Sequence, residues 1–420
     1  MALRALRAAL ACGTLTLAAT AGTWSAAAAA TAASPGITAH SVTVGQVDTL
    51  SGPVPGLFEG AKDGTEAYFA YVNSKGGVNG RKLILQTDDD QFSGANYAAD
   101  TAQLVKSDFA LVGGFSLFDA SGVSAIDQAK IPDITFSLSP QRESDPYNYS
   151  PNPIPPGGSR VGPFKYYKSH YGDAYQHMAT MLSNVASAEE QTQADLSAMK
   201  SLGYKVAYSR VVNPLETNFI PDVLKMRANG VKMVYIVGLA VGQVAALAQD
   251  MAQENFKPAL FSTSGVAYDS SYIPTAGSAA NGTYSDMQTA LYAGEDAKVV
   301  PAVKLFDHWV KKVNPSAHLD VYGVYGWAAA EMFVQALKGA GADPTRASLF
   351  AQLNKITNFD AGGLLAADNP AQKVPSQCWL LVKVAGGKWQ RTGPDPKSGF
   401  VCNPAGYHPA IKPYRRPAGA

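Results

Sequence analysis

The sequence predicts an α/β protein built from two similar lobes, each a Rossmann-like parallel sheet wrapped by helices. Three observations carry this expectation. Val42-Thr43-Val44-Gly45-Gln46-Val47 alternates branched apolar residues with small or polar ones, as a short strand does. A turn at Thr49 to Pro53 follows, then a helical pattern from Leu57 to Asn73 that stops at Gly76-Gly77, then a second strand from Arg81 to Thr87. This alternation recurs four times in about 100 residues, which predicts a parallel sheet covered on both faces. After an interruption, a second block beginning at His177 repeats the same grammar. Two copies of one architecture joined by crossings enclose a cleft, and ligands of open parallel sheets sit at the carboxyl ends of the strands.

The elements follow in order. Within Asp89 to Asp108, Tyr97, Ala98, Thr101, Leu104 and Val105 recur at helical spacing, and Phe109 to Gly113 is the next strand. The turn Gly114 to Asp119 leads to a helix ending at Lys130, and strand Ile134 to Ser137 ends in Leu138-Ser139-Pro140. From Tyr147 to Tyr175 the texture changes to recurring prolines and tyrosines, read as a surface connection or a lid rather than as helix or inner strand. The second block places strands at His177–Leu182, Lys205–Val212, Met233–Val237 and Ala259–Ser262. Helices lie between them at Glu189–Leu202, from Thr217 as N-cap to Ala228, and up to Glu254. Beyond Asn281-Gly282-Thr283-Tyr284 come an amphipathic helix over Val299 to Val313, a helix opening at Tyr322, and another over Arg346 to Leu353. Trp379 to Val384 is a late strand, with a Gly386-Gly387 turn to Trp389.

Several of these segments carry a family likeness. Leu50-Ser51-Gly52-Pro53, Asn73-Ser74-Lys75-Gly76-Gly77-Val78-Asn79-Gly80, Asp88-Asp89-Asp90, the Gly282-Thr283-Tyr284 segment and Tyr322 to Ala330 together resemble the type I periplasmic binding proteins. Within them the sequence is most similar to the Leu/Ile/Val-binding receptors of branched-chain amino acid ABC importers, over roughly residues 38 to 390. The resemblance implies a three-stranded hinge, with Asp360 to Ala367 as the third crossing. It divides the chain into a discontinuous N-terminal lobe (38–140 plus 285–358) and C-terminal lobe (141–284 plus 359–405), with a flexible tail over 406–420. It implies an extracytoplasmic protein, a monomer, that captures a small polar organic ligand and delivers it to a membrane-embedded ABC permease. An extracellular sensing module not coupled to transport is the alternative.

Bulk properties agree with an exported globular protein. Hydrophobic residues make up 46% and charged residues 16% of the 420, enough for packed cores and too apolar for disorder. Formal charge is +1, and two of the positives, Arg4 and Arg7, belong to a leader-like segment. No basic patch invites nucleic acid. Residues 1 to about 33 read as a signal peptide: two arginines, an apolar span, then small-residue cleavage options. Cys12 either leaves with this leader or accepts a lipid, though Ala9-Leu10-Ala11 is a poor lipobox. Cys378 and Cys402 then remain, and in an exported chain they are expected to form a disulfide.

No catalytic template is present: no Gly-x-Ser-x-Gly, Walker loop, Gly-x-Gly-x-x-Gly, His-Glu-x-x-His or Cys-x-x-Cys. Neither enzyme chemistry nor a cofactor or metal is expected, and Asp88-Asp89-Asp90 reads as a solvated strand end. The candidate ligand contacts are hydroxyls and N–H groups at strand ends that precede helices, where partial positive charge favours a polar or anionic ligand end. These are Ser51, Ser116, Ser137 and Ser139 in the first lobe and Asn184 and Ser264 in the second. The resemblance adds Phe115, Phe118, Leu138, Leu239 and Tyr322 as neighbours or walls. It also marks a departure: Asn184-Val185-Ala186-Ser187 stands where the family has a tyrosine-glycine pair, and no acid for a ligand ammonium is evident near Ser264 to Asp269.

Overall fold

The structure, a computed structural model, describes residues 34–154, 159–393, 399–402 and 407–408. The expected leader, Cys12 and most of the expected tail lie outside the described residues. The first lobe is built from β1 (Ser41–Asp48), α1 (Glu59–Ser74), β2 (Lys82–Asp89), α2 (Gly94–Ser107), β3 (Leu111–Val112), α3 (Val123–Ala129), β4 (Asp133–Ile134) and the short α4 (Pro140–Ser144). Its sheet is all parallel in the order β2-β1-β3-β4. Alternation within β1 puts Val42 and Val44 in the core, as the sequence pattern demands.

The chain then crosses through β5 (Ser159–Arg160) and α5 (Gly162–His170) into the second lobe. There follow β6 (Met178–Ser183), α6 (Ala186–Ser201), β7 (Val206–Val212), α7 (Ile220–Ala228), β8 (Met233–Val237), α8 (Val241–Gln253), β9 (Leu260–Ser264), α9 (Tyr272–Ala276) and β10 (Thr283–Met287). Returning to the first lobe, α10 (Pro301–Val313), α11 (Val321–Gly339) and α12 (Arg346–Leu353) pack behind its sheet. The chain closes with β11 (Cys378–Ala385), β12 (Lys388–Thr392), β13 (Val401–Cys402) and β14 (Tyr407–His408). The second sheet runs β12-β11-β10-β9-β8-β6-β7, and β13 pairs with β11. It is parallel from β7 to β10, while β11 and β12 are antiparallel additions. Cys378 and Cys402 are bonded across β11 and β13, as expected.

Three observations differ from the sequence reading, the first two with clear causes. The proline-tyrosine segment is not a surface strap: Tyr149, Ser150, Asn152 and Phe164 are buried, and α5 starts within it because Pro163 occupies the first helical turn, where no N–H is needed. The helix expected to start at Thr217 begins at Ile220, after Asp250 Oδ2 accepts the Phe219 N–H at 2.7 Å. The boundary expected between residues 284 and 285 falls inside β10, and two residues of the expected tail pair as β14 with β5.

The crossings run side by side. Thr289 bridges Leu365 antiparallel, Gln288 O accepts the Ala366 N–H at 2.7 Å, and Asn152 Nδ2 reaches Gln288 Oε1 at 3.5 Å. The helix that frames the cleft is α11, and its seat is set by small residues. A Cβ at Gly64 would run into the Gly323 carbonyl, one at Gly326 into the Ala61 carbonyl, and one at Gly60 into the Asp320 carboxylate. Backbones of α1 and α11 therefore meet in direct contact, which fixes where Tyr322 and Tyr325 emerge.

Candidate functional site

A cavity of about 200 Å³ lies between the lobes, lined by both and by the crossings. The first lobe contributes an apolar face: Phe58, Leu117, Phe136, Leu138, Val321, Tyr322 and Tyr325. The rings form one stack. Phe136 lies parallel to Tyr325 at 4.6 Å between centroids and to Phe115 at 5.3 Å, and Tyr322 meets Phe58 edge-on at 4.8 Å. Burial alternates along the segment after β4, so that Phe136 and Leu138 face the cavity while Ser137 and Ser139 face away.

Three of the four hydroxyls expected to hold ligand in this lobe are engaged elsewhere. Ser116 Oγ donates to Asp90, and Thr49 donates to the same carboxylate at 2.9 Å. Ser51 Oγ donates to Asp89 at 2.5 Å, and Ser139 Oγ caps α4 by accepting the Arg142 N–H at 3.3 Å. Ser137 Oγ is buried without a hydrogen-bond partner among the described residues. The acidic run is thus not a solvated strand end: Asp90 is fully buried and, with Asp89, ties the first turns together. Asp119 does the same for the next turn, accepting the Leu138 and Ser139 N–H groups at 2.6 and 3.2 Å. Phe115 stands behind the aromatic wall, and Phe118 packs edge-on against Phe92.

The second lobe and the crossings supply polar groups. From α6 and the residue before it come Val185, Ser187, Ala188, Gln191 and Asp195; from β8, Tyr235 and Val237, then Gly238; from the end of β9, Ser264 to Val266. Asp286, Gln288 and Thr289 enter from β10, and Asn152, Ile154 and Arg160 from the first crossing. Asp195 is buried and fully served: Oδ1 accepts from Ser159 Oγ at 2.5 Å and Gln191 Nε2 at 2.7 Å, and Oδ2 from Tyr235 Oη at 2.8 Å. Burial still holds its carboxyl above the ordinary range. Asp286 is less well served. Its Oδ2 is 3.4 Å from Arg160 Nη2, Oδ1 has no hydrogen-bond partner among the described residues, and burial raises the carboxyl to about 6. Asn152 Nδ2 donates to Tyr325 Oη at 2.9 Å, joining a crossing to the aromatic face. At the rim, Ser187 N–H donates to Leu138 O at 3.1 Å, a direct hydrogen bond between the lobes.

Of the sequence-expected contacts, Leu138, Ser264 and Tyr322 line the cavity. Ser51, Phe115, Ser116, Phe118, Ser137 and Ser139 do not, Asn184 is exposed beside it, and Leu239 is buried in the core. Asp195, Asp286, Arg160 and the Phe136–Tyr325 stack were missed. One signal was available for Asp195, a carboxylate on the same helical stripe as the buried Ala188, Thr192 and Met199.

The periplasmic binding protein family model matches residues 41–388. The chain belongs to the periplasmic binding protein family. It is thus a member of a family of extracytoplasmic solute-binding proteins, not of enzymes. Solved structures agree on the fold. A fatty acid ABC transporter substrate-binding protein from Thermomonospora curvata is 18% identical with a TM-score of 0.71, the match covering 92% of this chain and 95% of that one. A branched-chain amino acid ABC transporter protein from Thermus thermophilus with bound valine is 15% identical, TM-score 0.72, over 87% and 97%. A solute-binding protein from R. palustris in complex with benzoate is 19% identical, TM-score 0.69, over 87% and 98%. No curated protein sequence is significantly similar to this binding protein. Among its described residues, no helix is long and apolar enough to cross a membrane.

Proposed function

We propose that this binding protein captures a small organic molecule with an apolar body and a polar end, closes its lobes over it, and presents the closed form to a membrane-embedded ABC permease, acting as a monomer. The observation that carries the reading is a cavity walled by both lobes, aromatic on one side and polar on the other. A ligand that touches both walls favours the closed arrangement by the difference in its affinity for the two states, and the adjacent crossings are where the backbone would bend. The similar proteins named above are a fatty acid transporter's substrate-binding protein, one with bound valine and one in complex with benzoate, which supports a small organic ligand without choosing its head group.

A thermal-shift screen over amino acids, short acids, amides, amines and aromatics tests capture. A ligand at a hundred times its Kd adds about 2.7 kcal/mol to stability. Small-angle scattering on the hit tests closure, with a smaller radius of gyration expected in the bound state. A hit that binds without compaction would remove the closure step, and co-purification with a permease decides the transport role.

A further inference from the structure

The charged groups of the cavity wall do not balance, and the imbalance selects a head group. Of the described side chains lining it, Asp195, Asp286 and Arg160 are the charged ones, so among the described residues the wall has one more carboxylate than it has cations. Among the described residues, Asp195 has three donors, whereas Asp286 has a single long contact to Arg160 and an oxygen with no partner, although its side chain is only 8% exposed. A buried carboxylate so poorly served favours a donor, and best a cation. The start of α6, at Val185 and Ser187, opens on the cavity with partial positive charge, roughly half an elementary charge for a helix N-terminus. That does not offset a full negative charge, and the Ser187 N–H is already given to Leu138 O.

We propose that the ligand of this cleft carries a protonated amine and no carboxylate, its ammonium against Asp286 and its apolar body against Phe58, Phe136, Tyr322 and Tyr325. The inference rests on the solute-binding reading above and narrows it. An acid of the benzoate type adds a negative charge to a wall already negative. A zwitterionic amino acid leaves the imbalance as it was. An ammonium cancels it, and the facing aromatic rings add cation–π attraction to any part of the charge that reaches them. Arg160 then serves as a positioning residue, holding Asp286 Oδ2 from the side of β5.

The test uses the full-length protein and two matched series, each with one body and varied heads: phenethylamine, 3-phenylpropionate, 3-phenylpropionamide and phenylalanine; and isopentylamine, 4-methylpentanoate, 4-methylpentanamide and leucine. In calorimetric titration at neutral pH, the amine of at least one series is expected to bind tightest, and Asp286→Asn to weaken it by about tenfold or more, the loss of one charge-assisted hydrogen bond. An acid, amide or amino acid binding tightest in every series that binds overturns the amine assignment and leaves the solute-binding reading standing. Binding by no member of either series overturns both. Should Asp286→Asn fold poorly, the wild-type pH profile replaces it. The groups facing Asp286 are Arg160 from β5, Tyr167 from α5, Asp195 from α6 and Tyr235 from β8, and burial holds both carboxyls up and keeps both phenols neutral. Amine affinity therefore falls as pH drops through about 6, whereas affinity unchanged from pH 8 to 5 overturns the ammonium–Asp286 contact.

Discussion

At the scale of single residues, the site is decided by which hydroxyls have already been used. Ser116 is buried and donates to Asp90, so its replacement acts on the fold before it acts on a ligand. Ser116→Ala is expected to lower unfolding free energy by about 1–3 kcal/mol, because it leaves a buried carboxylate short of a donor, while ligand affinity stays nearly constant. Urea denaturation paired with titration of the hit separates the two effects, and an affinity loss without a stability loss would return Ser116 to the ligand wall. Tyr325→Ala should do the reverse to binding. It deletes the ring stacked on Phe136 and the acceptor of the Asn152 amide, and is expected to cost the ligand tenfold or more, an effect of about 1.4 kcal/mol.

At the scale of elements, the contact of α1 with α11 controls the aromatic face. Gly64→Ala or Gly326→Ala places a methyl group against a backbone carbonyl that no rotamer can move, so each is expected to destabilise by about 1–3 kcal/mol and to weaken ligand binding by shifting Tyr322 and Tyr325. Wild-type stability in both variants, measured by chemical denaturation, would mean that the helices separate without penalty. The tie between β11 and β13 is a second element-scale device. It closes a loop of 24 residues, and Cys378→Ser should lose about 3 kcal/mol by the chain-entropy argument, with melting of the wild type falling similarly in reductant.

For the whole molecule, buried carboxyls set the response to pH. Burial raises Asp320 to about 8, Glu143 and Glu331 to about 7, and Asp63, Asp108 and Asp145 to about 6. Their unfolded values lie near 4. Between these limits the folded chain holds more protons than the unfolded one, so the contribution is complete below about pH 4 and is lost as pH rises through 6 to 8. The unliganded melting temperature is therefore expected to fall from pH 5 to pH 8.5 in scanning calorimetry. A rise over that range would mean these carboxyls find partners when ionised.

The local grammar was legible because strand alternation, proline and glycine stops, and helical spacing are short-range. They were enough to outline β1, α1, α12 and β11 within a residue or two, the repetition of one architecture, and the pairing of Cys378 with Cys402. The sequence by itself also determined that the carboxyl ends of the strands would face a cleft. What only tertiary structure decided is which side chain at each turn looks into it. Alternation says that Phe136 and Ser137 point opposite ways, but not which of them meets the other lobe; that depends on how the turn is seated, and the buried Asp119 anchors it by accepting the Leu138 and Ser139 N–H groups. The charged wall was hidden for a related reason. Arg160, Asp195 and Asp286 come from a crossing, a helix and a strand far apart in the chain, and their meeting depends on how the sheet orders β6, β8, β9 and β10, a long-range property no local window contains.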